Sequence, residues 1–163
     1  MQNLKFSVGI VAVLLLSRFI PHPPNFTALI ALSFYIPCLL GRNFIYPILI
    51  GLFISDIFLG LHSTMIFTFI AVFLIGIFST YLKQKLFHRI FGCLTAAILF
   101  FMLSNFGVWL SGSYGYTFSG FVTCYLMAIP FFYGTILSSF LYTILFEVLI
   151  KLNLNKILSF EKS

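Results

Sequence analysis

Long apolar runs separated by brief polar breaks make up almost the whole chain, and the breaks define the elements. The first run, Leu4 to Ile20, ends at Pro21-His22-Pro23-Pro24-Asn25. Proline cannot continue a helix and restrains the residue before it, so this stop is firm. A second span is expected from about Phe26 to Leu40, with Asn25 as its N-cap. Arg42-Asn43 makes a tight connection to a third span, Phe44 to Leu61, and His62-Ser63 turns the chain into a fourth, Thr64 to Leu82. The basic loop Lys83 to Arg89 precedes a fifth span, Ile90 to Leu110, and a glycine-rich, uncharged loop follows it. Residues 118–150 are again apolar. As one helix they would reach about 50 Å, against a hydrocarbon core of about 30 Å, yet they are too few for two full spans. Pro130 predicts a division into a short interfacial or re-entrant piece, Phe118 to Met127, and a sixth span from Pro130 to Ile150.

The predicted fold is therefore all-α: a polytopic transmembrane bundle of six helices, with a short segment before the last. Residues 1–152 form one domain and 153–163 a short cytoplasmic tail. Composition agrees, because only 7% of the 163 residues are charged and 61% are hydrophobic, too little charge to cover a soluble domain. No small-x-small cleavage site follows the first run, so a retained span is expected rather than a signal peptide. With the N-terminus inside, the inner segments hold Lys5, Arg42, Lys83, Lys85, Arg89, Lys151, Lys156 and Lys162, and the outer ones hold Arg18 alone. That asymmetry predicts cytoplasmic termini under the positive-inside rule. It also accounts for the +6 net charge without nucleic acid, since the basic residues form no patch.

Against this background one residue is out of place. Asp56, the single aspartate, lies inside the third apolar run, in Ile54-Ser55-Asp56-Ile57-Phe58-Leu59-Gly60-Leu61-His62. An ionisable group at membrane depth persists when it has a partner, faces water or serves a function. Asp56 is thus open to two compatible readings, a helix–helix fastener and a direct ligand to a solute. Arg18 stands at matching depth and can pair with it if the first and third spans touch.

On the predicted topology, polar and aromatic residues gather at the outer end. They are Arg18, His22 and Asn25 from the first connection, Asp56 and His62 around the third span, Asn105 and Trp109 one helical turn apart, Tyr114, Tyr116 and Thr117 in the glycine-rich loop, and Tyr133 and Thr135 at the start of the sixth span. A recess with aromatic walls and a few placed polar groups is the form of a small-molecule site. Each member also has a plainer reading. Tyrosine and tryptophan favour membrane interfaces, His22 can decorate a rigid turn, and Asn105 can bond a neighbouring helix. Nothing in the chain matches a hydrolase, zincin or phosphate-loop motif, so no enzymatic activity and no cofactor are expected. Cys38, Cys93 and Cys124 fall singly, which argues against disulfides and a zinc site. His22, Asp56 and His62 could hold a transition metal only if the fold assembled them, since their spacing matches no motif.

The blocks Arg18-Phe19-Ile20-Pro21-His22-Pro23-Pro24-Asn25-Phe26, Ile54 to His62, Asn105-Phe106-Gly107-Val108-Trp109-Leu110 and Ala128-Ile129-Pro130-Phe131-Phe132 resemble the signature blocks of a small bacterial inner-membrane family without an assigned function. That family is similar in design to the substrate-binding S components of energy-coupling-factor transporters. The resemblance implies a bacterial cytoplasmic-membrane protein that holds a small, vitamin-like solute at its outer face. It also implies partners, a membrane coupling protein and cytoplasmic ATPases, in addition to the lipid bilayer. S components often carry Ala-x-x-x-Ala on the first helix, whereas here Gly9 and Ala12 are the nearby small pair. That departure leaves a solitary transporter open. Two other expectations stand beside solute uptake: a non-transporting membrane subunit or assembly factor, and a transition-metal importer.

Overall fold

A computed structural model of the chain describes residues 2–82 and 85–157. The described residues form six α-helices and no strands: α1 (Gln2–Phe19), α2 (Leu29–Leu40), α3 (Ile45–Leu59), α4 (Met65–Thr80), α5 (Leu86–Leu110) and α6 (Phe118–Ile157), with one 3₁₀ turn at Arg42–Phe44. The stretches Arg42–Leu59, Leu86–Leu110 and Phe118–Leu152 are long and apolar enough to cross a membrane, and α2 and α4 are shorter apolar helices. We call the end with the α1–α2, α3–α4 and α5–α6 connections the head, and the opposite end the foot.

Packing follows the side chains that each helix can bury. Helix α1 lies on α3, α2 lies against α4 and α5, and α5 packs on both α4 and α6. Phe34 and Tyr35 of α2 are fully enclosed among Ile75 of α4 and Cys93, Ala96 and Ala97 of α5, while Leu14 of α1 is buried with Ile48 and Leu52 of α3. Large side chains such as Phe58, Phe118 and Tyr81 remain outside, as expected of a bundle that meets lipid instead of water. Gly107 lets α4 and α5 close up at the head, since a β-carbon there would overlap the ring of Phe67.

Three expectations need correction. Helix α6 is unbroken over 40 residues, about 60 Å, and Pro130 sits inside it without dividing it. The proline removes one backbone donor, but its neighbourhood is clamped to α5: Tyr125 Oη donates to the Met102 carbonyl at 2.7 Å, and the Phe101 and Phe132 rings meet at 4.3 Å. Helix α5 begins at Leu86, so Arg89 belongs to a helix and not to the basic loop. It is buried, as is Glu147 of α6. Finally, Asn25 is not a helix cap. It occupies a left-handed turn (φ 58°), and α2 starts after Ala28 with no side-chain cap. Of the basic residues used to orient the chain, Lys83 and Lys162 lie outside the described residues. The tail expected from residue 153 is helical to Ile157, and residues 158–163 also lie outside them.

Candidate functional site

The head is built around a loop that the rest of the bundle holds in place. Residues 20–28 leave α1 through the proline run and cross towards α6. There the Pro24 carbonyl sits where a β-carbon on Gly134 would have to be, so only glycine at 134 admits the loop this close. Ser138 lies one turn further along, with its hydroxyl 3.0 Å from the Thr135 carbonyl and 3.5 Å from that of Asn25. At the other side of the loop the Ala28 amide donates to Ser17 Oγ at 3.3 Å.

Under this loop lie two adjoining lobes. The first, about 370 Å³, is lined by Arg18, His22, Asn25, Asp56, His62 and Thr135 among others. The second, about 270 Å³, is lined by Ser104, Asn105, Phe101, Phe131 and Phe132 with their neighbours. Asn25, Thr68, Phe100 and Thr135 belong to the walls of both. A larger groove of about 590 Å³ runs between α1, α2 and α6, but its lining is apolar apart from Lys5 and Tyr142. It offers little to orient a polar solute, so the head lobes are the better candidate despite their smaller volume.

The chemistry of the first lobe centres on Asp56. Its side chain is buried, and Arg18 Nη2 lies 2.8 Å from Oδ1. This contact is the helix fastener, because it ties α1 to α3. It is also incomplete. Arg18 Nη1 and Asp56 Oδ2 are both buried and make no hydrogen bond within the chain; among the described residues, only His88 Nδ1 and Ser139 Oγ share that state. A buried polar atom without a partner costs about 1–3 kcal/mol, and more when it is charged. Two of these four atoms thus stand on residues lining one lobe. His22 Nδ1 is 2.7 Å from the Pro23 carbonyl, which can only accept, so Nδ1 carries the proton. His62 Nδ1 shares a hydrogen bond with Thr64 Oγ1 at 3.1 Å. Asn105 donates one amide N–H to the Phe101 carbonyl at 2.8 Å and keeps its carbonyl oxygen for another partner.

The structure therefore gathers Arg18, His22, Asn25, Asp56 and His62 on one lobe and sets Asn105 on the next. Trp109, Tyr116 and Tyr133 line neither. Trp109 donates Nε1–H to the Gly115 carbonyl at 3.1 Å and packs on Phe121, which pins the α5–α6 loop. Tyr116 and Tyr133 are 70% and 71% exposed. Thr135, expected at the outer end, lines both lobes; Thr27, Thr68 and Ser104 were not anticipated, since hydroxyl residues occur throughout the chain and nothing local distinguishes those three. Among the described residues no three His, Cys, Asp or Glu side chains come together to hold a metal ion, so His22, Asp56 and His62 are not a ready-made metal centre.

A second buried polar cluster lies towards the foot. Arg89 donates Nε–H to Glu147 Oε1 at 2.7 Å and Nη2–H to Oε2 at 2.6 Å, and Tyr35 donates its hydroxyl to Oε1 at 2.8 Å. Every carboxylate oxygen is satisfied here, the opposite of the situation at Asp56.

A family model described as a family of unknown function (DUF6580) matches residues 1–159. No curated protein and no solved structure matches the chain.

Proposed function

The chain belongs to the DUF6580 family, which has no assigned function, and we propose from its own head cavity that it is a membrane solute-binding protein engaged in uptake. The observation that carries this reading is a formed cavity of about 370 Å³ walled by the Arg18–Asp56 pair together with His22, Asn25, His62 and Thr135. A pair serving only as a fastener would be expected to close on itself, as Arg89 and Glu147 do. The histidine, asparagine and threonine side chains around the pair suit a small solute with several polar groups. The excess of basic residues at the foot and in its connections supports a head facing outward across a cytoplasmic membrane. This arrangement is S-component-like: the solute enters from outside, and energy comes from an ion gradient or from partner ATPases and a coupling protein.

The test is purification of the full chain in mild detergent followed by native mass spectrometry. A small molecule should travel with the wild-type protein and be absent from Asp56→Ala, with membrane insertion unchanged. A stoichiometric partner protein and no small molecule would replace this reading with that of a non-transporting membrane subunit.

A further inference from the structure

We propose that the apolar groove between α1, α2 and α6 is a binding site for an anionic phospholipid, which lays an acyl chain along the groove and sets its phosphate against Lys5. The proposal is independent of the solute-binding reading, since no residue of the groove lines either head lobe.

The groove of about 590 Å³ exists because α1 leans on α3 and meets α2 only slightly. Helix α1 supplies Gly9 and Val13 to its lining, α6 supplies Tyr142 and Leu149, and α2 supplies Leu32 and Ile36. Gly9 keeps the α1 side low. A β-carbon there would meet nothing within 4 Å, so no neighbour in the chain requires the glycine, and a glycine inside a helix is destabilising relative to alanine. The chain therefore leaves room at a point where its own packing would admit a larger side chain.

The two ends of the groove differ, and the difference selects the occupant. At the head end lies Ala28, whose amide donates to Ser17 Oγ at 3.3 Å and ties the start of α2 to α1. At the foot end stands Lys5, exposed, the one charged side chain in the lining and unopposed there by any acid. A lysine in that position lays its stem on apolar surface and holds its ammonium at headgroup level, where it attracts anionic lipid. From Lys5 to Val13 the groove follows α1 for about 12 Å, and from Tyr142 to Leu149 it follows α6 for about 10 Å. The hydrocarbon core is about 30 Å thick, so the groove reaches through roughly one leaflet. A partner helix crossing the membrane would need a seam along the full depth. An acyl chain hanging from a phosphate at the foot needs only this much, with charge at the mouth and apolar walls beyond it.

The experiment uses the full chain, delipidated in mild detergent. Thermal shift titrates it with palmitoyl-oleoyl phosphatidylglycerol and with the phosphatidylcholine of the same chains, and native mass spectrometry counts bound lipid. One phosphatidylglycerol should bind per chain, with an apparent Kd about fivefold below that of phosphatidylcholine, the contribution of one lysine beside anionic lipid. Lys5→Gln should bring the two lipids to equal affinity. Lys151→Gln, an exposed foot lysine outside the groove, should leave the preference unchanged. Gly9→Leu should remove saturable binding of both lipids while the helical content stays that of the wild type. Equal affinity of the wild type for both lipids overturns the proposal, as does a preference that survives Lys5→Gln or falls equally in Lys151→Gln. A second membrane protein or a second copy of this chain that is lost on Gly9→Leu, with no saturable lipid binding, would give the groove to a helix instead.

Discussion

Arg89 and Glu147, 58 residues apart, face each other through two parallel hydrogen bonds deep between α5 and α6. Tyr35 completes the carboxylate from α2, so three helices are fixed by one cluster. A buried pair of this kind stabilises little relative to a well-packed apolar replacement, but breaking it by removing one partner costs about 3–5 kcal/mol. Glu147→Ala is therefore expected to lower stability by about that amount, and Arg89→Met with Glu147→Leu to restore most of it. Thermal unfolding in detergent compares the two. A double variant as unstable as the single one would mean that the pair acts through more than its own charge compensation.

Thr135 and Tyr133 are close in sequence but opposite in situation. The threonine is 3% exposed on the shared wall of the two lobes, whereas the tyrosine is turned outward. Thr135→Val should reduce retention of the co-purified solute by up to about tenfold, the worth of one polar contact, and Tyr133→Ala should leave it unchanged. Quantitative mass spectrometry of the two variants at equal protein loading reads the difference. Equal losses would move the site away from the described cavity.

Gly134→Ala is the smallest change expected to spoil the head. The added methyl meets the Pro24 carbonyl and pushes the loop carrying His22 and Asn25 off α6. Overpacking of this sort costs about 1–3 kcal/mol. The chain should insert and remain helical by circular dichroism, with a lower melting midpoint and solute retention lost. Wild-type retention would show that the loop does not roof the site.

Trp109→Phe separates loop anchoring from solute binding. It removes the indole donor to Gly115 and keeps an aromatic ring against Phe121. The expected cost is about 1 kcal/mol in stability, seen as a small fall in the melting midpoint, with solute retention unaffected. A variant that retained its stability but lost the solute would return the tryptophan to the binding wall.

Much of the architecture was legible because membrane helices advertise themselves by composition, and the bundle has the six helices that the apolar runs predict. Asp56 could be singled out for a related reason: a lone acid in an apolar run is conspicuous, and Arg18 was its natural partner. Pro130 misled because its local preference is overridden by contacts with α5, 20 or more residues away in sequence, that no local rule contains. Arg89 looked like a loop cation because only its pairing with a residue 58 positions on makes burial tolerable. Trp109, Tyr116 and Tyr133 are aromatic residues near the predicted ends of apolar runs, a description that fits a cavity wall, a loop clamp and a lipid-facing belt equally well. Which one applies depends on helix rotation, and periodicity along a run that is apolar all round does not fix rotation.

The uninterrupted course of α6 turns it into a lever. Gly134 sits under the loop at the head, and Lys151 lies 17 residues further along the same rod, about 25 Å away. Because no hinge absorbs a rotation between them, a pivot of only about 5° at the glycine would swing the far end by about 2 Å. A displacement of the head loop against Gly134 would thus be carried to the foot along one rigid rod.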